Sequence, residues 1–469
     1  WGNLYEMSPG RLTSVRRHIN RAIDLQSNDT EGLRDRYHAL KVMADSPYFG
    51  KITFVNKPDS EEALAACSAD DWQEPEDIYI GIRDFYLPGS KFRLVYDWRD
   101  PLSTMFYNYS LGPASYEAGE KAVNAQLLDK LQFHIEGGQL QYVLEIGETI
   151  DDELLKRELS RASTPKMQTI VNTIQREQNA AIRDETTQYL AVLGFAGSGK
   201  TSIALHRIAF LLYRNSRLQS SDILILSPNK IFSNYISTVL PELGEENIME
   251  VSFKDLVLHE LKDIPCETRA MQLERLLNEE DPNAMNLIQF KKSTTFVNKL
   301  KAFPAYFGLH FTTFEDINVF GTIFDGRKLE HLFFEKFYSE PVFVRISHMA
   351  EFLCDVVETK QQVSISAEKR QQILEDLLSF VNLTSLTDIY RAFLKWANVA
   401  EASQFTGGRL PNEDVFPMIY LKYLLFGNRE FSRIKHLIID EMQDYSIVQY
   451  EIIKMMVHCP ITFLGDSSQ

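Results

Sequence analysis

The run Gly194-Phe195-Ala196-Gly197-Ser198-Gly199-Lys200-Thr201 meets the phosphate-binding template G-x-x-x-x-G-K-[ST] at every fixed position. Glycines at such spacing let backbone N–H groups crowd around phosphate oxygens where a side chain would intrude, and a helix that follows points its positive end at them. Lys200 is the group that reaches the β- and γ-phosphates, and the hydroxyl of Thr201 is a magnesium ligand. The expected ligand is a nucleoside triphosphate with magnesium, held by Gly194, Phe195, Ala196, Gly197, Ser198, Gly199, Lys200, Thr201 and Ser202.

A second cluster answers the first. In Leu437-Ile438-Ile439-Asp440-Glu441-Met442-Gln443-Asp444 an apolar strand delivers two consecutive carboxylates at its C-terminal end, where α/β folds place their ligands. Asp440 is the candidate second magnesium ligand, and Glu441 the candidate group that orients or deprotonates an attacking water. A further apolar run, Ile461 to Leu464, ends in Gly465-Asp466-Ser467-Ser468-Gln469, whose terminal amide is a candidate for contact with the γ-phosphate or its water.

Positioning these groups requires a strand, the glycine loop and a helix in that order. Tyr189 to Leu193 reads as a buried strand and Ser202 to Tyr213 carries apolar residues at helical spacing. Asp222 to Ser227 follows as a second buried strand, which gives a βαβ unit and an α/β fold with a parallel sheet. Upstream, Leu12, Val15, Ile19 and Ile23 recur at helical spacing, Ser27 to Thr30 breaks the pattern, and Leu33, Tyr37 and Leu40 resume it, so residues 1–45 read as a helical hairpin or as the base of a longer helical arm. Short aromatic and β-branched runs follow: Tyr48 to Phe54, Ile78 to Ile82, Phe92 to Trp98 and Met105 to Tyr109. With the hairpin expected at Gln132 to Ile146 they read as a small β-rich module over 46–164. Asp151 to Arg161 is a charged helical stretch. The nucleotide-binding domain then takes 165–250 and 431–469, interrupted by a mainly helical insertion over 251–430. The aromatic residues of that insertion, Phe303, Tyr306, Phe307, Phe333, Phe334, Phe337 and Tyr338 among them, are expected in its core rather than as base-stacking platforms.

Composition bounds the rest. The chain has 469 residues, 44% hydrophobic and 24% charged, as in ordinary globular proteins, and no apolar stretch is long enough to span a bilayer. A monomeric cytoplasmic protein without membrane contact is expected. Cys67, Cys266, Cys354 and Cys459 have neither metal-ligand nor disulfide-framework spacing and read as reduced thiols. With 49 Lys and Arg against 65 Asp and Glu the net charge is −16, unfavourable for a protein whose main task is to coat nucleic acid. The surplus of acid serves solubility, or it forms a surface that docks on a basic partner or mimics nucleic acid.

Gln178, the loop at 194–201, Ser227-Pro228-Asn229, Asp440 to Asp444 and Gly465 to Gln469 resemble, in order, the Q motif and motifs I, Ia, II and III of the superfamily-one helicases related to UvrD and Rep. The resemblance implies a RecA-like domain that binds and hydrolyses ATP, with Gln178 on the adenine and Ser227 to Asn229 facing a nucleic-acid strand if one binds. Outside that domain, Ser46-Pro47-Tyr48-Phe49-Gly50, Tyr96-Asp97-Trp98-Arg99-Asp100-Pro101 and Tyr107 to Pro113 are similar to the N-terminal region of the HelD family, bacterial ATPases associated with RNA polymerase. Thr173 to Asn179 and Ala204 to Tyr213 are similar to it too.

That resemblance implies binding to core RNA polymerase, arms that enter its channels, and release of stalled polymerase from DNA or RNA, with ATP binding and hydrolysis freeing the factor. The acidic arm tip of the family is not visible here. Taken without the family, Tyr, Trp and Phe of the 46–113 motifs fill a core, and Asp97 and Arg99 pair to satisfy each other. The first residue is Trp1 and the chain stops just after the third motif, so it is expected to be trimmed at both ends, to hold half of an ATP site and to hydrolyse ATP slowly by itself.

Overall fold

The computed structural model describes residues 2–26, 34–57, 74–119, 121–146, 174–195, 197–228, 236–237, 239–241, 243, 245–278, 282–399, 408–428 and 430–466. They form two compact units, Trp1–Glu250 with His436–Met442 and Pro460–Gln469, and Val251–Lys435 with Gln443–Cys459. The charged stretch expected at Asp151 to Arg161 lies outside the described residues.

The first unit begins with two packed helices, α1 (Gly2–Gln26) and α2 (Arg34–Asp45), followed by strands β1 (Gly50–Asn56), β2 (Glu76–Gly81), β3 (Phe85–Tyr86), β4 (Arg93–Asp97), β5 (Gly112–Ala118), β6 (Lys121–Glu136) and β7 (Gln139–Glu145). They make a 7-stranded sheet of order β3-β4-β2-β1-β6-β5, with β7 on β6. Its two faces carry different cores. Leu131, Phe133 and Ile135 of β6 pack with Leu12, Val15 and Ile19 of α1, whereas Ala125 and Leu127 of the same strand join Ile52, Phe54, Trp98 and Phe106 on the other face. Strict alternation would keep all five odd-numbered residues on one face. The register slips between Thr53 and Phe54, which pair with Asp129 and Leu127, and this bulge turns the second half of β6 over. Lys130 is thereby buried on the second face, where its ammonium donates to the Tyr109 carbonyl and lies 5.0 Å from the centre of the Phe106 ring.

Met105 to Tyr109, grouped with the β runs in sequence, is instead a short helix, Thr104–Asn108. A brief apolar run has no period with which to distinguish strand from buried helix. Here Asp100 accepts the backbone N–H of Leu102, closing a turn that starts the coil, and Met105, Phe106 and Tyr107 all find core.

The helix Arg176–Arg183, strand β8 (Tyr189–Leu193), the loop helix Lys200–Arg214, β9 (Ile223–Leu226) and β10 (Met249–Val251) come next. The chain then builds the second unit. Its described part is mainly helical, with helices Phe253–Glu260, Arg269–Asn278, Pro282–Lys291, Thr294–Phe311, Val342–Gln361, Ala367–Leu378, Leu386–Trp396, Asn412–Phe426 and Ile447–Met456, and one small hairpin of β11 (Ile317–Val319) and β12 (Thr322–Phe324). Ser252, Ser293, Ser366 and Ser446 cap four of these helices. Phe303, Phe307 and Phe333 are buried, Tyr306, Phe334 and Phe337 half-buried, and only Tyr338 of that group is exposed. At the centre of this unit the Lys291 ammonium meets the Asp414 carboxylate at 2.7 Å and Tyr390 donates to the same carboxylate, all three buried.

Strands β13 (His436–Ile439) and β14 (Ile461–Gly465) return to the first unit and complete a 5-stranded sheet of order β10-β9-β13-β14-β8. The pairs β9–β13, β13–β14 and β14–β8 are parallel. β9 and β13 are buried throughout, but β8 is an edge strand in which only Val192 is buried and Tyr189 and Leu193 are exposed. The buried strand expected at Tyr189 to Leu193 is therefore corrected: an apolar run records what a strand can tolerate, not how many neighbours it gains. The molecule is α/β, and among the described residues no helix is long and apolar enough to cross a membrane.

Candidate nucleotide site

Because four strands run parallel, their C-terminal ends lie along one edge of the sheet. Gly194, Ser227, Asp440 and Asp466 each follow directly on β8, β9, β13 and β14. Two backbone bonds fix that edge: Gly194 N–H donates to the Gly465 carbonyl at 3.2 Å, and Asp440 N–H to the Leu226 carbonyl at 2.9 Å.

Gly197 and Gly199 have φ of +79° and +85°, a region that costs a residue with a Cβ roughly 1–2 kcal/mol. Gly199 is the N-cap of the loop helix. Gly194 lies close under Ser198: a Cβ there would stand 2.5 Å from Ser198 Oγ, so that hydroxyl would have to rotate away. The N–H of Ser198 donates to the Phe195 carbonyl at 3.1 Å, closing a turn. Lys200 folds back over this turn and donates to the carbonyls of Gly194 and Phe195 at 2.7 and 3.0 Å. To reach a phosphate its ammonium exchanges neutral carbonyls for a charged acceptor, a trade that favours the bound state. Phe195, Gly197 and Ser198 are exposed, as a ligand-facing loop requires. Ser202 is not: it is buried, and its hydroxyl lies 3.4 Å from His206 Nδ1.

Asp440 is nearly buried, and its carboxyl is pushed up to about 6 by burial first and then by the adjacent Glu441 charge, with Lys200 acting in the opposite sense. Carboxylate and hydroxyl oxygens from Asp440 and Thr201 form the hard donor set that magnesium takes, so the residues present fit that ion. Glu441 has φ of +49°, in the left-handed region for a residue with a Cβ. Strain of this kind, of order 1–3 kcal/mol, persists where the surrounding structure enforces it.

The other sequence-predicted residues fare differently. Gln178 is half-buried and its side-chain oxygen accepts the N–H of Gln175, so its carbonyl end caps the helix Arg176–Arg183. Ser227 is buried just beyond β9. Ala196, Asn229 and Gln469 lie outside the described residues.

The sequence reading missed what holds the loop helix. Asp97 and Arg99 do pair, with Arg99 Nη2 2.7 Å from Asp97 Oδ2, but the guanidinium also reaches Glu245 and donates to the Ala209 carbonyl of the loop helix, and it lies over the Tyr213 ring. Burial by itself would lower the Arg99 pKa. The Asp97 and Glu245 carboxylates reverse that and hold it charged. Trp98 packs edge-on against His206, and Arg183 donates to the carbonyls of Trp98 and Arg99 while its NεH reaches Asn179, which in turn donates to Asn108. On the other side of the helix, Arg207 donates to Thr462 on β14 and to the Ala181 carbonyl, and His436 meets the same threonine. The loop helix is thus bound by buried charge to the N-terminal sheet module. Only the sequence-local half of this, Asp97 with Arg99, left a signal; Glu245 lies 146 residues from its partner.

Residues 9–162 match the family model described as the N-terminal domain of DNA helicase IV HelD. No curated protein matches the chain.

Proposed function

From a HelD-type, helicase-like chain whose residues 9–162 are that family's N-terminal domain, we propose an ATP-binding transcription factor that binds core RNA polymerase and promotes its release from nucleic acid, driven by ATP binding and hydrolysis. The observation that carries the reading is the junction just described: the phosphate loop and the two carboxylates share one sheet edge, and the helix behind the loop is pinned to the HelD N-terminal domain. The strand order, with β14 between the loop strand and the carboxylate strand, supports a RecA-like P-loop domain.

In this reading Gly197, Gly199 and their neighbours cradle the phosphates, Lys200 leaves the loop carbonyls to neutralise the outer phosphates, and Asp440 with Thr201 holds magnesium. Magnesium when bound neutralises charge that develops on the phosphate oxygens. Glu441, held in its unusual backbone conformation, orients and deprotonates the attacking water, and Gln469 assists at the γ-phosphate. Adenine lies against Gln178, whose amide nitrogen is the end its capping bond does not use.

Gel filtration with purified core RNA polymerase tests the assignment. Co-migration, weakened by substitutions in the N-terminal module, is expected. The family description favours one other reading, a DNA-unwinding enzyme of the UvrD and Rep type, and that enzyme binds tailed duplex DNA and ignores free polymerase. Phosphate release, measured with malachite green, is expected to fall to background with Lys200→Ala or Glu441→Gln; turnover that survives both would remove the ATPase assignment.

A further inference from the structure

At the base of the helical arm, α1 and the β6–β7 turn enclose a recess of about 450 Å³ lined by Thr13, Arg16, Arg17, Asn20, Arg21 and Gly138. We propose that it is a binding site for a small phosphate oxyanion of the pyrophosphate or nucleotide-phosphate kind, separate from the phosphate loop.

Among the described residues the lining contains three guanidiniums, a hydroxyl and an amide, and no carboxylate. Arg16 is the fixed member. Its Nε donates to the Ala44 carbonyl at 2.9 Å and its Nη1 to the Gly138 carbonyl at 2.8 Å, bonds to neutral acceptors that orient the guanidinium without cancelling its charge. Gly138, at φ +69°, leaves the space this requires: a Cβ there would fall within 1.8 Å of Arg16 Cζ. Arg17 and Arg21 are exposed and one helical turn apart, where like charges repel. Thr13, Arg17 and Arg21 follow one another at i, i+4, with Arg16 and Asn20 beside them, so all five project to one side of α1. Among the described residues none of the three arginines has a carboxylate within ion-pair distance, in a chain with 65 acidic residues to supply one. Guanidinium forks with neutral donors between them match a tetrahedral oxyanion, which accepts several bonds at once. A net charge of −16 opposes the long-range approach of an extended polyanion, and the recess is of a size for a compact one.

The test is calorimetric titration of inorganic pyrophosphate into the Lys200→Ala protein, which silences the phosphate loop. Saturable binding is expected, weakened about tenfold or more by Arg17→Ala with Arg21→Ala, and only partly restored by lysine at both positions. Absence of binding in the Lys200→Ala background, or equal binding by the Arg17→Ala/Arg21→Ala variant, would overturn the proposal. So would an oligothymidylate that binds through Arg17 and Arg21 where pyrophosphate does not, since the recess would then be a nucleic-acid contact. Thermal melting of each variant establishes that it is folded, and among the described residues neither exposed arginine makes a hydrogen bond or ion pair.

Discussion

The phosphate loop and the Asp97–Arg99–Glu245 cluster lie at two places along one helix and are opposite in kind. Around the loop, Phe195, Gly197 and Ser198 are exposed, Lys200 is held by the loop carbonyls, and no residue with a Cβ stands at Gly197 or Gly199. Around Arg99 the charges are buried (Asp97, Arg99) or half-buried (Glu245), and each is answered by another. A polar group that is fully satisfied inside a core specifies architecture, and one that is left wanting marks a place for a ligand. By this measure the conspicuous Tyr96 to Pro101 motif belongs to the framework, and the glycine loop carries the chemistry we propose.

The largest effect should come from the framework. Arg99→Ala leaves the buried Asp97 carboxylate without its ion-pair partner and is expected to cost about 3 kcal/mol in urea unfolding, whereas Lys200→Ala, which removes only bonds to loop carbonyls, is expected to leave the midpoint nearly unchanged. If Arg99→Ala proves neutral, the contrast between the regions collapses.

Acid should find the same buried framework. His206 and His436 are held down to about 4 by burial, from an ordinary value of 6.5. A base with a depressed folded pKa contributes stability that is complete above 6.5 and is lost as pH falls toward 4. Each histidine therefore accounts for a loss of up to about 3 kcal/mol in that window. Thermal melts from pH 7 to 4 check this, and His206→Gln should flatten the lower part of the curve.

Gly199→Ala has open space for its methyl group but the wrong backbone angle, so a destabilisation of about 1–2 kcal/mol is expected, with loss of ADP affinity measured by calorimetry. The smallest effect should be that of Gln178→Ala. Loss of its cap costs about 0.5–1 kcal/mol. If the free amide nitrogen also meets adenine, preference for ADP over GDP falls with it; a preference that is unchanged restricts Gln178 to the cap.

Much of this was legible in the residues. The template at 194–201 and the carboxylates after an apolar strand are recognisable from spacing alone, and the structure puts Gly194 and Asp440 after parallel strands of one sheet. The α/β class and the two N-terminal helices followed from periodicity. Less visible were the edge position of β8, the helix at Thr104–Asn108 and the bulge in β6, since each depends on what packs alongside rather than on the segment's own pattern.

What the sequence by itself determined is therefore the chemistry on offer: a glycine loop with Lys200 and Thr201, Asp440 beside Glu441, and Asp97 within reach of Arg99. Only the tertiary structure decided that Glu245 closes the Arg99 cluster, that Trp98 meets His206, and that Arg16 is pinned to a turn 122 residues away. Local rules act over a few bonds, and these partners are set by which faces must leave water together.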